Sequence, residues 1–499
     1  MVYSVPHYIA GQTIIDTSTP SREVYNPAIG EPIGRIFFAS DAIYQSAIAA
    51  ATDAWPAWAA TTPMKRARIL FQFRDLLEKH QLELAHMVTR EHGKSLEDAK
   101  GSVARAIEVV EIHCGILTQL QGSFSENVSN QIDCYTLRQP LGVCAGVSPF
   151  NFPVMVPVWM MIPAIACGNT FILKPSEQNP SAPIRLLELL TEAGLPPGVV
   201  NCIQGDKTIV DQLLADPNIA AMTAVASTPV AEYIFKTATQ HGKRAHTFGG
   251  AKNHCVVMPD ANLDQAAQAI VGAAYGSAGE RCMAISVVVA VGDQTADLLI
   301  NKLTPLIKLM HIAPGDVEPC DMGPLISQAH RQRVLNAIDQ GLKEGAKLVI
   351  DGRYFEHKNY PKGYFLAPSL FDQVTETMSI YQNEIFGPVL AIVRVADFAQ
   401  ALALVNRNPY GNGTAIFTQD GYIAREYSHR VQVGMVGINV PIPVPVASHP
   451  FGGWKRSSFG DSNMHGMESI HFYTKRKTIT SRWTTSNVLS NQFAMPTNN

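Results

Sequence analysis

The eight cysteines of this 499-residue chain are scattered singly, without a Cys-x-x-Cys pair or a Cys/His cluster. Their distribution argues against a structural zinc site and favours a reduced, intracellular protein. Charged residues make up only 16% of the chain, the formal net charge is -3, and lysine and arginine form no long run. Such a charge pattern does not indicate a nucleic-acid surface. We therefore expect small-molecule partners, and neither a metal ion nor a nucleic acid.

The sequence also lacks a continuous apolar run of membrane-spanning length. The longest apolar stretch, residues 142–173, contains four prolines, a pattern foreign to a simple spanning helix. The first residues, MVYSVPHYIAGQ, do not combine a basic segment with an apolar run, as a secretory signal would. These absences predict a cytoplasmic protein without a membrane partner.

Hydrophobic residues are abundant, at 46%, in a chain that is longer than one ordinary core requires. Two or three domains are therefore expected. From residue 142 onwards, short apolar runs typical of buried strands alternate with helical segments, and the alternation restarts after residue 250. This alternation predicts an α/β fold with parallel sheets of βαβ type.

Three segments fall outside this alternation. Residues 64–117 carry apolar residues at helical spacing, with a break near Gly93, which predicts two or three long amphipathic helices. Residues 129–140 and the alternating tail 468–483 have the pattern of strands. Strands outside a βαβ unit can pair with another chain, and we expect these two to join.

The segment YGSAGERCMAISVVV, residues 275–289, places a cysteine between small residues and a β-branched run. The glycines before Cys282 permit close backbone approach. A cation directly before the thiol, Arg281, would favour the reactive thiolate. These features fit a nucleophile, but a small thiol packed under a sheet, which is common for free cysteine, fits the local sequence too.

Other polar residues lie near predicted strand ends. Asn151, in SPFNFPVMVP, could donate its amide to a developing oxyanion or could be a turn asparagine. Lys174 and Glu177 follow a buried strand, where ligands of open α/β sheets bind, although a surface turn is the simpler interpretation. Glu384 could hold ribose hydroxyls or lie in water. No G-x-G-x-x-G follows a strand, so the usual dinucleotide fingerprint is missing.

Taken together, these motifs resemble the aldehyde dehydrogenase superfamily in order and spacing, almost from end to end. The segments that carry the resemblance are YNPAIGEPIG, FNFP, GNTFILKPSE, GSAGERC, NEIFGPVL and GINVPIPVPVASHPFGGWKRSSFGD. The resemblance implies an NAD-binding βαβ domain, a catalytic α/β domain and a small β oligomerisation element, in a homotetramer built as a dimer of dimers. The implied boundaries are 1–121 and 142–250 for the NAD-binding domain, 251–448 for the catalytic domain, 122–141 and 469–484 for the oligomerisation strands, and 449–468 for a segment returning to the NAD-binding domain.

The family match also implies roles for individual residues. Cys282 would be the nucleophile, and Asn151 would stabilise the oxyanion together with the Cys282 backbone N–H. NAD is expected rather than NADP, because Glu177 would repel a 2′-phosphate. Ala226 stands where the family usually has a glycine, and its Cβ would lie where the cofactor pyrophosphate passes. The residues matching cofactor contacts are Phe150, Lys174, Glu177, Gln178, Ser227, Gly249, Glu384 and Phe386.

Two departures separate the chain from hydrolytic members of the family. Those members carry a glutamate that activates water, whereas the aligned position here is Thr247 or Phe248, and neither can act as a general base. Hydrolytic members also usually lack an arginine beside the nucleophile. Both features match the methylmalonate-semialdehyde dehydrogenase branch, whose members transfer the acyl group to coenzyme A.

This branch resemblance implies NAD-dependent, coenzyme A-acylating oxidation of methylmalonate or malonate semialdehyde through a Cys282 thioester. The products would be propanoyl-CoA or acetyl-CoA and CO2, as in valine and inositol breakdown. A hydrolytic aldehyde dehydrogenase that releases a free carboxylic acid is the alternative. A non-catalytic homologue should have lost the nucleophile, which is present here.

Arg105 and Arg281 are expected to bind the substrate carboxylate, because the branch match places both near the substrate and an arginine fork suits a carboxylate. The simpler interpretations are a surface ion pair of Arg105 with Glu108, and a structural bond from Arg281 to backbone carbonyls.

Overall fold

The amino-terminal part of the chain forms five short strands followed by five helices. The computed structural model describes residues 3–129 and 131–483. The strands are β1 (Tyr3–Val5), β2 (His7–Ile9), β3 (Gln12–Ile14), β4 (Ser21–Asn26) and β5 (Glu31–Phe37). The helices are α1 (Asp41–Ala60), α2 (Pro63–Lys79), α3 (Gln81–His92), α4 (Leu96–Cys114) and α5 (Ile116–Gln119).

The boundaries of these helices follow from their capping residues. The side chains of Thr62 and Ser95 each accept a hydrogen bond from a backbone N–H in the first turn of α2 and α4. Gly93 ends α3 in the left-handed region, with φ of 94°, which few other residues adopt. The predicted long helices over 64–117, with their break near Gly93, are therefore confirmed.

The middle of the chain alternates strands and helices. Its elements are β6 (Phe124–Ser129), β7 (Ile132–Pro140), β8 (Val143–Val147), α6 (Met155–Ala166), β9 (Thr170–Lys174), α7 (Ser181–Glu192), β10 (Val200–Cys202), α8 (Lys207–Ala215), β11 (Ile219–Val225), α9 (Thr228–Gln240) and β12 (Arg244–Phe248).

A second alternating series follows, with a short 3₁₀ turn at Gly276–Gly279. Its elements up to residue 438 are β13 (Asn253–Val257), α10 (Leu263–Tyr275), β14 (Ile285–Val291), α11 (Asp293–Lys308), α12 (Gln328–Lys343), β15 (Lys347–Ile350), β16 (Ser369–Asp372), α13 (Ser379–Gln382), β17 (Val389–Val395), α14 (Phe398–Arg407), β18 (Tyr410–Gly411), β19 (Gly413–Phe417), α15 (Gly421–Arg430) and β20 (Met435–Ile438). The last elements are β21 (Trp454–Lys455), β22 (Ser458–Phe459), α16 (Gly466–Phe472) and β23 (Thr474–Arg482).

Two large sheets organise these elements. The first has the order β22-β12-β11-β8-β9-β10-β2-β3, and the second the order β15-β16-β17-β14-β13-β19-β20. The central strands of both sheets pair in parallel and are almost entirely buried, as strands covered by helices on both faces must be. The chain passes from the first sheet to the second between β12 and β13, and β22 then returns to the first sheet. The predicted α/β fold is confirmed.

A third, three-stranded sheet has the order β23-β7-β6. Strand β23 pairs with β7 along its whole length, so residues 129–140 and the tail do join as expected. The expected strand over 469–484 was placed too early, because residues 469–472 complete helix α16, where Ser469, Ile470 and Phe472 are buried at helical spacing. Residue 484 lies outside the described residues. The role of this sheet in assembly stays a prediction.

Within the described ranges, none of the helices combines the length and apolarity that crossing a bilayer would require.

Candidate functional site

A cavity of about 730 Å³ lies where the two large sheets meet. One side is formed at the carboxyl ends of β8, β9, β11 and β12, the usual ligand edge of an open α/β sheet. The other side is formed by residues just before β14 and β17. The cavity brings together all ten residues predicted to be catalytic or to contact the cofactor: Phe150, Asn151, Lys174, Glu177, Gln178, Ser227, Gly249, Cys282, Glu384 and Phe386.

The backbone before Cys282 adopts a conformation that the sequence did not reveal. Ser277 and Ala278 have φ of 54° and 52°, and Gly279 continues in the same region with φ of 73°. Non-glycine residues seldom adopt this conformation, and such strain clusters at functional sites. Two buried amides, one before and one after this segment in the chain, fix the position of Cys282, because Asn253 and Asn412 donate to the Cys282 carbonyl at 2.8 and 3.0 Å.

The environment of Cys282 opposes ionisation of its thiol. Burial and the charge of Glu384 raise its pKa to about 12, while the ammonium of Lys94 acts in the opposite direction. Arg281 was expected to favour the thiolate, but its Nη2 donates to Asp98 Oδ1 at 2.6 Å. Lys94 is thus the cation that most favours the thiolate, and the sequence did not single it out.

Asn151 is held from two sides. One N–H of its side-chain amide donates to the backbone carbonyl of Glu280, at 3.0 Å, in the turn that carries Cys282. Its own backbone carbonyl accepts a hydrogen bond from Lys94 Nζ at 2.9 Å. A primary amide has two donors, so the second N–H of Asn151 is free to face an oxyanion.

The residues at the carboxyl ends of the strands of the first sheet form what we name the cofactor wall: Ser148, Phe150, Lys174, Glu177, Gln178, Ala226 and Ser227. Lys174 Nζ lies 2.9 Å from Glu177 Oε1, which orients both groups towards the cavity edge. The buried Ser148 hydroxyl has no hydrogen-bond partner in the described part of the chain. A buried, unpartnered hydroxyl beside a lysine–glutamate pair suits the hydroxyl and phosphate groups of a dinucleotide, so the residues fit NAD.

Glu384 closes the cavity opposite this wall. Its Oε1 accepts a hydrogen bond from the Ala251 N–H at 2.9 Å, and a Cβ on Gly250 would lie only 2.2 Å from Oε2. Burial raises the pKa of Glu384 to about 7, although Ala251 and Lys252 oppose that shift. Glycine at position 250 is therefore a condition for this placement of the carboxylate.

Phe386 lies two residues further along, in the left-handed region with φ of 58°. Its ring meets the ring of Phe150 edge to face, with centroids 5.8 Å apart. Its carbonyl oxygen accepts a hydrogen bond from His330 Nε2 at 2.7 Å. His330 also lines the cavity, and sequence reasoning missed it because α12 is remote from every motif.

The two positions expected to align with the family's water-activating glutamate, Thr247 and Phe248, carry no carboxylate. Thr247 Oγ1 donates to the Ala231 carbonyl at 2.8 Å. Phe248 is buried, with its ring 5.3 Å from that of His246. Neither side chain can accept a proton from water.

The two arginines expected to bind substrate do not line the large cavity. Arg105 Nη1 lies 2.5 Å from Glu108 Oε2, which is the ion pair of the simpler interpretation, and its Nη2 donates to the Pro445 carbonyl. Arg281 lines a small space next to Cys282. Both therefore have protein partners at rest, and their substrate roles stay predictions.

Behind Cys282 and Asn151 lies a group that we name the buried charge cluster: the buried His92, Lys94 and Glu280, with Asp98 and Arg281, whose side chains are each 19% exposed. Burial raises the pKa of Glu280 well above its ordinary value and lowers that of His92 well below its own, so burial favours the neutral form of both side chains. No group of three or more His, Cys, Asp or Glu side chains in the described residues is arranged to hold a metal ion.

Comparison with known proteins gives consistent matches over nearly the whole chain. The aldehyde dehydrogenase family model matches residues 14–479. The malonate-semialdehyde dehydrogenase of Pseudomonas aeruginosa is 52% identical over 491 residues, which cover 98% of this chain and 99% of that protein. Malonate-semialdehyde dehydrogenase 1 of Geobacillus thermodenitrificans is 46% identical over 482 residues, covering 97% and 99%.

Solved structures agree. A Sinorhizobium meliloti 1021 protein, provisionally described as a methylmalonate-semialdehyde dehydrogenase and complexed with NAD, has a TM-score of 0.96 at 53% identity, covering 98% of this chain and 99% of that one. The methylmalonate-semialdehyde dehydrogenase of Oceanimonas doudoroffii also has a TM-score of 0.96, at 49% identity, covering 97% and 99%.

Proposed function

The chain belongs to the aldehyde dehydrogenase family, and from that premise we propose that it is an NAD-dependent, coenzyme A-acylating dehydrogenase of methylmalonate or malonate semialdehyde. One combination of features supports this proposal. A single cavity contains the nucleophile, the amide and the cofactor wall, and neither Thr247 nor Phe248 supplies a carboxylate. The names of the relatives support the substrate class.

In the first step, the Cys282 thiol releases its proton to solvent, and the resulting thiolate attacks the aldehyde carbon. The carbonyl oxygen becomes an oxyanion, which the second amide N–H of Asn151 and the Cys282 backbone N–H stabilise. Because Asn151 is already tied to the Glu280 carbonyl, its amide needs little reorganisation when the charge develops.

Bound NAD+ would accept the hydride from this adduct, leaving a thioester on Cys282. Lys174 and Glu177 would hold the adenosine ribose, with Gln178, Ser227 and Gly249 as neighbouring contacts and Glu177 excluding a 2′-phosphate. Glu384 and Phe386 would position the nicotinamide ribose and ring.

The acyl group of this thioester would then pass from Cys282 to coenzyme A. A thiol with a pKa near that of free cysteine, roughly 8.5, is partly ionised near neutrality, whereas water needs a base that this site lacks. The coenzyme A thiolate attacks the thioester carbonyl, and the Cys282 thiolate leaves. For a malonate-type acyl group, the carboxylate leaves as CO2, its bonding electrons form an enolate, and the α-carbon takes up a proton. Arg105 and Arg281 would hold that carboxylate beforehand.

We propose the implied domain roles and the homotetramer as part of the same account. Three apolar side chains on the β6–β7 hairpin support an assembly surface there, since Phe124, Val128 and Leu137 are all exposed in the single chain. A cytoplasmic location and a place in valine or inositol breakdown belong to this proposal too.

Steady-state NADH formation with methylmalonate semialdehyde, with and without coenzyme A, tests the proposed reaction. We expect a single-turnover burst without coenzyme A and sustained turnover, with propanoyl-CoA as product, when it is added. Equal sustained rates with and without coenzyme A, with a free acid as product, would establish the hydrolytic alternative instead.

A further inference from the structure

Lys94 is one of the most completely buried charged side chains of the structure, with 1% of its surface exposed. It follows Gly93, whose left-handed backbone turns the chain inward between α3 and α4. Its ammonium donates to the Asn151 carbonyl at 2.9 Å and lies 4.2 Å from the centre of the Phe152 ring. Lys94 therefore holds two consecutive residues of the loop that carries the Asn151 amide.

Asp98 connects this lysine to the nucleophile. Its Oδ2 lies 3.5 Å from Lys94 Nζ, and its Oδ1 accepts the hydrogen bond from Arg281, which is adjacent to Cys282. Although burial opposes ionisation, Lys94 and Arg281 lower the pKa of Asp98 to about 2. Lys94, Asp98 and Arg281 thus form a continuous ionic chain from the Asn151 loop to the Cys282 turn.

This chain contains two cations and one carboxylate. In the same cluster, burial raises the pKa of Glu280 and lowers that of His92, and it lowers the pKa of Lys94 against the opposing effect of Asp98. The single carboxylate of Asp98 is therefore shared between two cations behind Cys282, and a buried charge is costly until an anion approaches it. The two anions that the proposed reaction creates at this place are the Cys282 thiolate and the oxyanion.

We propose that Lys94 is a positioning residue for the reaction: it fixes the Asn151 amide relative to Cys282 and supplies the positive charge that the thiolate and oxyanion meet. This inference rests on the proposed function, which gives Cys282 and Asn151 their roles. Lys94 does not line the cavity, so it acts through Asn151 and through its field rather than by contact with substrate.

Other titratable groups face the same region, and they determine how its pH dependence is interpreted. Glu384 opposes the thiolate from the segment before β17, and His330 and Arg333 line the cavity from α12. The groups to be considered together are Lys94 and Asp98 beside α4, Glu280 and Arg281 before Cys282, Lys174 and Glu177 after β9, His330 and Arg333 on α12, His92 at the end of α3, and Glu384.

The test measures the rate of Cys282 alkylation by iodoacetamide as a function of pH, in the full-length enzyme without substrate. For Lys94→Met we expect alkylation near pH 8 to slow about tenfold or more, with the pH midpoint moved upward, because one buried positive charge is lost. Lys94→Arg should recover most of the rate. With substrate, kcat of Lys94→Met should fall further than KM rises.

Lys243 provides the matched control. It is also a buried lysine that donates to two backbone carbonyls, those of Asp216 and Ile219, at the far end of β11 from the cavity. Lys243→Met should lower the melting temperature as Lys94→Met does, yet leave the alkylation profile unchanged. A Lys94→Met profile that matches the Lys243→Met profile would overturn the proposal.

Asp98→Asn gives a change of opposite sign, which a purely structural role of the cluster would not produce. Removing the carboxylate leaves two cations behind Cys282, so we expect the alkylation midpoint to move downward. If Lys94→Met does not fold, this variant decides: a downward shift supports the proposal, and an unchanged or upward midpoint overturns it. Failure of the proposed function is separate, since it would appear as full activity of Cys282→Ala.

Discussion

The cofactor wall and the buried charge cluster flank the same cysteine, but their polar groups are partnered differently. On the wall, the Ser148 hydroxyl has no partner among the described residues, and Lys174 pairs with Glu177 at the cavity edge. In the cluster, Lys94 and Arg281 donate to Asn151 and Asp98, although both ring nitrogens of His92 and one oxygen each of Asp98 and Glu280 have no hydrogen-bond partner among the described residues. Groups that keep donors and acceptors free can recognise a ligand, whereas groups that bind protein fix the geometry of others.

The comparison predicts that substitutions at the junction of the two regions have the largest effect. Cys282→Ser should lower the rate of NADH formation by roughly 10⁴-fold, because a hydroxyl at this place has no base to ionise it. Its NAD affinity, measured by fluorescence titration, should be unchanged. Cys320→Ser is the matched control: Cys320 is also partly exposed, but it lies outside the cavity and should keep full activity.

Asn151→Ala tests whether the amide between wall and cluster acts on the transition state. We expect kcat to fall about 10²–10³-fold, the usual effect of removing one oxyanion donor, with KM little changed. Stopped-flow measurement of the hydride-transfer burst checks this. A variant with normal kcat and a raised KM would assign Asn151 to substrate binding instead.

Arg105→Leu tests whether Arg105, which lies outside the buried charge cluster, binds the substrate carboxylate. We expect kcat/KM for malonate-type semialdehydes to fall about 10- to 100-fold, as loss of a charge-assisted hydrogen bond would cause, and that for propanal to change far less. Glu108→Gln, which removes only the partner of the resting ion pair, should leave both values near those of the wild type. Equal losses on both aldehydes in Arg105→Leu would remove its carboxylate role.

Gly250→Ala should damage the cofactor side alone. The added Cβ would lie 2.2 Å from Glu384 Oε2, so the carboxylate must move, and the Kd for NAD should rise about tenfold. Because the Glu384 carboxylate opposes the thiolate, its displacement should not slow Cys282 alkylation. Gly272→Ala, where a Cβ meets nothing within 4 Å, is the control and should keep wild-type affinity. An unchanged Kd for NAD in Gly250→Ala would show that NAD binding does not depend on this position of the Glu384 carboxylate.

The smallest expected effect is a pH dependence of NAD binding. Because the pKa of Glu384 is raised to about 7, its side chain is mostly protonated at pH 6 and mostly ionised at pH 8. An ionised carboxylate accepts hydrogen bonds from ribose hydroxyls better than a protonated one. The Kd for NAD should therefore fall several-fold, up to roughly tenfold, from pH 6 to pH 8. Glu384→Gln should flatten the profile. If the dependence persists in Glu384→Gln, Lys252, whose pKa burial lowers to about 7, is the group responsible.

The sequence predicted the cofactor wall better than the cluster, and the reason is physical. Lys174 and Asn151 follow strands of one sheet, and parallel strands bring their carboxyl ends to one edge, so their proximity follows from the fold class. Lys94 and Asp98 are neighbours at the start of α4, but Glu280 and Arg281, in the turn before Cys282, reach them from a distant part of the sequence. Only tertiary packing brings such groups together, and no spacing rule encodes it.

Arg281 illustrates the same limit at a single residue. Its position beside Cys282 suggested a direct effect on the thiol, yet its guanidinium is directed to Asp98, and Lys94 is the cation that lowers the pKa of the thiol. The strained turn at Ser277 and Ala278 was equally invisible, because neither residue type signals a positive φ.

Mass spectrometry of the intact enzyme after one turnover without coenzyme A tests the central claim most directly. We expect an acyl adduct that maps to the Cys282 peptide and persists in buffer. This adduct should disappear on addition of coenzyme A, as the acyl-CoA product forms. An adduct that is lost equally fast in buffer alone, or one on another residue, would contradict transfer from Cys282 to coenzyme A.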